Sequence, residues 1–146
     1  MARVAIHRED GASAVEMALL APLLFILVFG IIEFGLAFLQ VQSIRTAVRE
    51  GGRAAAVGAL VPDTQQKTVD ASSGSIPSSL KSQVQVNSSL PGALKGRCTP
   101  NNIGDDVTVT FDTQNLNGGT GITVLIPLLP DIHITPVITA SFRCEV

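Results

Sequence analysis

Residues 11–39 read GASAVEMALLAPLLFILVFGIIEFGLAFL. From Ala12 to Leu39 the run is apolar apart from Ser13, Glu16 and Glu33, and Met17–Ile32 carries no polar side chain. A run of this length and composition predicts a helix that crosses a membrane, since a helix satisfies its own backbone hydrogen bonds in lipid. Glu16 and Glu33 are 17 positions apart, about 25 Å along a helix. That nearly matches a hydrocarbon core of about 30 Å, so both carboxylates reach the two interfaces. Pro22 removes one helical hydrogen bond and is expected to kink the run. Gly30 and Gly35 thin the helix and admit a neighbouring helix.

The rival reading is a cleaved secretory signal. Such a signal has a shorter apolar core and a small-residue cut site after it. Gly35–Ala37 (GLA) is the only weak candidate for such a site, and the helical pattern continues past it. A transmembrane anchor over residues 12–39, in place of a cleaved secretory signal, is therefore expected.

Residues 40–58 read QVQSIRTAVREGGRAAAVG. Ile44, Ala47, Val48, Gly51, Ala54 and Ala55 fall on one helical stripe. Arg45, Arg49 and Arg53 recur every four positions on another face. They meet lipid phosphates, the acids of a neighbouring subunit, or only water. Gly51 and Gly52 each weaken a helix by roughly 1 kcal/mol relative to Ala, and a bend is expected there. Gly58 followed by Pro62 marks the stop.

Beyond the helix the chain changes character. Pro62–Ser73 is compatible with a short helix, and residues 72–92 are Ser-rich, with Pro77 and Pro91, and read as loops. Gln83–Asn87 and Val107–Phe111 alternate as strands do, and Asn115–Gly121 is a turn. Ile122–Ile126 reads as a strand forming a hairpin with Val107–Phe111. Val137–Cys144 is a last strand, with Ile138, Ala140, Phe142 and Cys144 on the face toward the core. The expected fold is α+β: a long N-terminal transmembrane helix followed by a small antiparallel β-sheet of about four strands. The upper half of the helix covers the sheet, which is too small to stand alone.

Cys98 and Cys144 are the only cysteines. Two cannot build a four-cysteine zinc site, and His7 and His133 lie in separate regions. A Cys98–Cys144 disulfide is the simplest reading, and it needs an oxidising compartment. Closing a loop of this length stabilises a fold by roughly 4 kcal/mol in the chain-entropy model. Arg3 and Arg8 precede the span and Arg45, Arg49 and Arg53 follow it, which mildly favours the opposite orientation under the positive-inside rule. The cysteine pair outweighs that balance and places the distal domain outside the cytoplasm.

A net charge of -2 gives no basic excess for nucleic acid. Trp and Tyr are absent, and of six Phe only Phe111 and Phe142 lie outside the N-terminal third. Asn117–Gly121 is Gly-rich but lacks the Lys-Ser/Thr of a phosphate loop. Asp105 and Asp106 are adjacent, so their side chains diverge on an extended chain. His133 sits in a strand-like IHI and reads as structural. No nucleophile elbow surrounds a serine. Asn87-Ser88-Ser89 matches a glycosylation acceptor, a pattern frequent by chance. No catalytic residue, metal site, cofactor or small-molecule substrate is expected.

The N-terminus carries the most informative constellation: HRED-G-ASAVE-MALLAPLL. A short polar leader ends in Gly11, the apolar helix starts at once, and Glu16 is the fifth residue after the glycine. This resembles the processing site of type IV prepilins, in which a membrane-embedded peptidase cuts after the glycine, here between Gly11 and Ala12. Glycine lets the backbone enter a crowded protease site in extended form. The freed amine and Glu16 then lie at the same end of the helix. In a filament the carboxylate of one subunit pairs with the amine of the next, which compensates a charge among apolar helices.

GASAVEMALLAPLLFILVFGIIEFGLAF followed by RTAVREGGRAAA looks like the TadE-like family of pseudopilins from tight-adherence (Tad) pilus systems. The features carrying that resemblance are Gly11, Glu16, Pro22, Glu33, Phe34, Gly35, Arg49-Glu50-Gly51 and Arg53-Ala54-Ala55. It covers about residues 11–57. One departure is Met17, where processed members often have an aromatic residue.

The resemblance implies a leader over residues 1–11, a helix over 12–57 and an extracytoplasmic β-rich domain over 58–146. It implies a minor pilin or pseudopilin of the inner membrane, assembled into a Tad-type pilus for surface adherence, and the residues themselves give no expectation of an enzyme. The implied partners are a prepilin peptidase, other pilins, the inner-membrane assembly platform and lipid. Glu16, Pro22, Glu33, Arg45, Arg49 and Arg53 are the candidate subunit contacts. The alternative is an anchored adhesin or sensor whose β domain binds a ligand and which needs no cleavage.

Overall fold

The computed structural model describes residues 9–88 and 96–145. Residues 1–8, within the expected leader, and Ser89 of the Asn87-Ser88-Ser89 pattern lie outside the described residues.

Helix α1 runs from Glu9 to Ala56, 48 residues, or about 72 Å. It is one helix by sequence and two by environment. Residues 11–36 are exposed or half-buried throughout, and Ala37 is the first buried side chain. From there Ile44, Ala47, Val48, Gly51, Ala54 and Ala55 are buried, which is the stripe that the 3.6-residue period predicts. Helical assignment continues through Pro22 and through Gly51-Gly52.

The end of α1 is built by Gly58. Its φ is 85°, a left-handed conformation that costs glycine little. Its N–H donates to Ala55 O at 3.0 Å, and the Ala59 N–H donates to Ala54 O at 3.1 Å. This pair of bonds is a Schellman motif, which satisfies carbonyls that the helix leaves open. Helix α2 follows at Val61–Ala71, with Pro62 in its first turn. Proline is tolerated there because the first-turn N–H groups have no helical acceptor. Thr64, Thr68 and Val69 are its buried residues.

Five strands follow among the described residues: β1 Gln85–Ser88, β2 Asp106–Asp112, β3 Ile122–Val124, β4 Ile132–Ile134 and β5 Val137–Arg143. They divide between a three-stranded antiparallel sheet, order β1-β2-β5, and a two-stranded pair β3-β4. Strand β2 sits in the middle with Val107, Val109 and Phe111 buried. Opposite them on β5 stand Phe142, Ala140 and Ile138. This apolar face packs in one core with the buried stripe of α1. The outer face carries hydroxyl pairs, Thr110–Thr139 at 3.1 Å and Thr108–Ser141 at 3.4 Å.

The expected hairpin between Val107–Phe111 and Ile122–Ile126 does not form. Strand β2 pairs with β5 over seven registered residues, Asp106↔Arg143 to Asp112↔Val137. Strand β3 is only three residues long and pairs with β4. Between β2 and β3 the chain runs through 3₁₀ turns within Thr113–Gly119, kinked at Leu116, Asn117 and Gly118. Asp112 caps this segment by accepting the Gln114 N–H at 2.9 Å, and Leu116 is buried. The chain therefore leaves the β2 edge instead of returning along it. Alternation tells which face a side chain takes, and it does not tell which strand lies alongside.

Cys98 and Cys144 form the disulfide, with Cα atoms 5.4 Å apart. It fastens the loop before β2 to the end of β5. Hydrogen bonds from Gly104 N to Cys144 O (3.0 Å) and from Glu145 N to Ala56 O (3.0 Å) extend that fastening to the end of α1.

Candidate functional site

The site is the exposed half of α1 and its junction with the domain. Gly11 lies in the first turns of α1, and no atom stands within 4 Å of the position a Cβ would take. Ala12 is exposed beside it. The Gly11–Ala12 bond is thus accessible but helical, so a protease must unwind the helix end to reach it. Helix ends fray, and glycine weakens this one further. Glu16 is exposed one turn on, and Pro22 is exposed within the rod. Among the described residues Glu16 has no ion-pair partner within the chain.

Around these groups the surface is almost wholly apolar. Leu19, Leu23, Phe25, Ile31 and Phe34 are each more than half exposed, at 76%, 64%, 61%, 66% and 63%. The mean hydropathy of the most apolar window is 2.6, and none of that window is buried in the chain. A bare apolar rod of this extent is unstable in water. Among the described residues this one helix is long and apolar enough to cross a membrane.

Glu33 is half-buried and stands elsewhere. It shares a depression with Phe29 of α1 and with Leu125, Ile126, Pro127 and Asp131 of the β3–β4 connection. Arg45 lies between two surface hollows. One is apolar, formed by Phe34, Ala37, Phe38, Val41, Ile134 and Pro136. The other is polar and is shared with Arg49 and Pro136–Thr139. Arg53 makes an exposed ion pair with Glu50 at 3.6 Å, which contributes little to stability. The three arginines are all exposed, and they are not gathered with Glu16 or Glu33 into one cluster.

Two functional positions carry a meaning other than the expected one. Gly51 and Gly52 are sites of close approach. A Cβ on Gly51 would collide with the Thr68 hydroxyl of α2, and one on Gly52 would fall 2.5 Å from the Phe142 ring of β5. Paired glycines on a buried stripe were the available signal. Nothing in the sequence marked the β3–β4 connection as a neighbour of Phe29 and Glu33.

Residues 11–53 match the family model for TadE-like proteins. The chain is TadE-like over that segment. The match begins at Gly11 and ends at Arg53. It therefore spans the bare rod and most of the packed stripe, including Gly51 and Gly52. No curated protein and no solved structure matches the chain.

Proposed function

We propose that this chain is a minor pilin or pseudopilin of a Tad-type pilus, held in the inner membrane by α1 and able to pass into a filament. The observation that carries the proposal is the division of α1. Its upper part is buried in its own small domain, and its lower part, from Gly11 to Leu36, is left for an apolar partner outside the chain. Lipid covers that rod before assembly, and the rods of other subunits cover it afterwards. A packing rod joined to a compact head is a structural design, and the proposed role involves no catalysis.

The Gly11/Glu16 spacing supports maturation by a prepilin peptidase. Cutting before Ala12 frees an amine four residues before Glu16, so a stagger of about 6 Å between neighbouring rods brings the amine of one chain to the depth of the next chain's Glu16. The disulfide supports an extracytoplasmic head, because such bonds persist in oxidising compartments. The assembly platform is the partner that would extract the rod from lipid.

The test is the mature N-terminus. Intact mass of membrane-extracted protein from cells with active peptidase should correspond to a chain starting at Ala12, and Gly11→Ala should remain uncut. A wild-type chain retaining residues 1–11 under those conditions would refute the processed-pilin reading.

A further inference from the structure

We infer that the β3–β4 connection, residues 125–131, together with Ile132 at the start of β4, is a second membrane contact: an apolar tip that sits in the outer acyl–headgroup boundary beside α1. The inference rests on the reading of α1 as a membrane span.

Residues 125–132 read LIPLLPDI, with no cationic side chain. Leu125, Leu128, Leu129 and Ile132 are 54%, 85%, 52% and 47% exposed. Such a cluster of large apolar side chains at a loop tip is unusual in water. The backbone reinforces the point. The Leu129 N–H donates to Ile126 O at 3.1 Å, which closes a turn with Pro127 and Leu128 at its centre. Leu128 has φ 68°, a conformation that turns of this kind assign to Gly or Asn. A branched apolar residue there is conformationally costly, and in water its exposure adds to that cost. Lipid around the tip removes the second cost.

Position along α1 selects the lipid. The connection lies against Phe29 and Glu33, through the depression they share with Leu125, Ile126, Pro127 and Asp131. From Ala12, Phe29 and Glu33 are 17 and 21 positions away, or about 26–32 Å along the helix. That is the thickness of a hydrocarbon core of about 30 Å. A span starting near Ala12 thus brings the tip to the outer boundary. Asp131 and Glu33 mark the polar edge, and the leucines point to insertion without any need for anionic headgroups. Two contacts, α1 and the tip, would fix the rotation of the head about the membrane normal.

The chain has no Trp and no Tyr, so one introduced Trp is an unambiguous probe. Full-length Leu128→Trp, Phe25→Trp and Ile103→Trp are each reconstituted in phosphatidylcholine vesicles with brominated acyl chains. Ile103 is 63% exposed, and its neighbour Gly104 bonds to Cys144 at the far end of α1. Leu128→Trp should emit at shorter wavelength than Ile103→Trp. It should lose roughly half its emission or more to bromines just below the headgroups, and less to bromines near the chain ends. Phe25→Trp should be quenched most by the deep bromines, and Ile103→Trp by neither.

Quenching of Phe25→Trp without quenching of Leu128→Trp overturns the inference and leaves the span intact. A Leu128→Trp emission that is blue-shifted but unquenched shows the tip covered by a second copy of the chain, and overturns it as well. An unquenched Phe25→Trp removes the span reading and this inference together.

Discussion

The ring of Phe142 lies over Gly52, so near that a Cβ on the glycine would stand 2.5 Å from Cδ2 and 2.6 Å from Cε2. This approach ties the last strand to the long helix near the helix's C-terminal end. Gly52→Ala gains roughly 1 kcal/mol of helix propensity. It also forces an aromatic ring out of place, for which overpacking costs of about 1–3 kcal/mol are usual. The expected net result is a loss of up to about 2 kcal/mol in thermal or urea unfolding of the head. Combining Gly52→Ala with Phe142→Leu should recover part of that loss, and a strictly additive double mutant would show that the two residues do not couple.

The disulfide makes a second prediction. Cys98 and Cys144 close a loop of 46 residues, and both are 2% exposed. The Cys98→Ser/Cys144→Ser double variant should lose about 2–4 kcal/mol of stability, close to the chain-entropy value. The bare part of α1 meets this loop at Phe29, Glu33 and Phe34, beside the β3–β4 connection and Pro136, and its backbone bonds are its own helical ones. Far-ultraviolet circular dichroism in detergent micelles should therefore keep most of its helical signal after the head has unfolded. If the bond lies outside the cytoplasm, a membrane-impermeant maleimide should label both thiols in intact spheroplasts once they are reduced and the head is loosened. Labelling only after the membrane is broken would reverse the proposed orientation.

A third prediction concerns two threonines on α2. Thr64 and Thr68 are both fully buried against α1. The Thr68 hydroxyl donates to Thr64 O at 2.8 Å, whereas the Thr64 hydroxyl has no hydrogen-bond partner among the described residues. An unsatisfied buried hydroxyl costs about 1–3 kcal/mol, and replacing it with an apolar group of like shape removes the cost. Thr64→Val should raise the unfolding midpoint, by about 1 kcal/mol in stability terms. Thr68→Val should not, because it gives up a bond that is made. Equal effects from the two would contradict the hydrogen-bond assignment.

Much of this architecture is legible in the residues, and the illegible parts share a cause. Ile44, Ala47, Val48, Gly51, Ala54 and Ala55 reveal their buried face through spacing alone. Gly58 and Pro62 mark the helix break, and Val107, Val109 and Phe111 show theirs by alternation. Each of these signals is local. The partners are not local. The pairing of β2 with β5 in place of β3 is decided by register length, by the 3₁₀ turns after Asp112 and by the fastening at Cys144. Gly51 and Gly52 looked like weak points of a helix, and only Thr68 and Phe142 turn them into contacts. The same holds for the candidate site. Glu16, Arg45 and Arg49 stand exposed in the isolated chain, because the groups proposed to meet them belong to other molecules.

Glu16 is therefore the residue whose removal separates folding from assembly. It is exposed on the bare rod, five positions after Gly11, and no buried side chain of the head lies near its level on α1. Glu16→Ala should leave the stability of the head unchanged within about 0.5 kcal/mol, as surface substitutions away from special features do. Membrane insertion should be preserved or improved, since a carboxylate is unfavourable at any depth in lipid. In a filament the loss is of another kind. The amine of a neighbouring Ala12 would be left among apolar helices without its counter-charge, and an unpaired buried charge costs about 3–5 kcal/mol. The amount of this chain co-purifying with sheared pilus material should fall at least tenfold, for which about 1.4 kcal/mol suffices. Glu33→Ala, at the other end of the span, should fall by much less. If Glu16→Ala co-purified as the wild type does, the amine–carboxylate pairing would not be what holds the subunit in register.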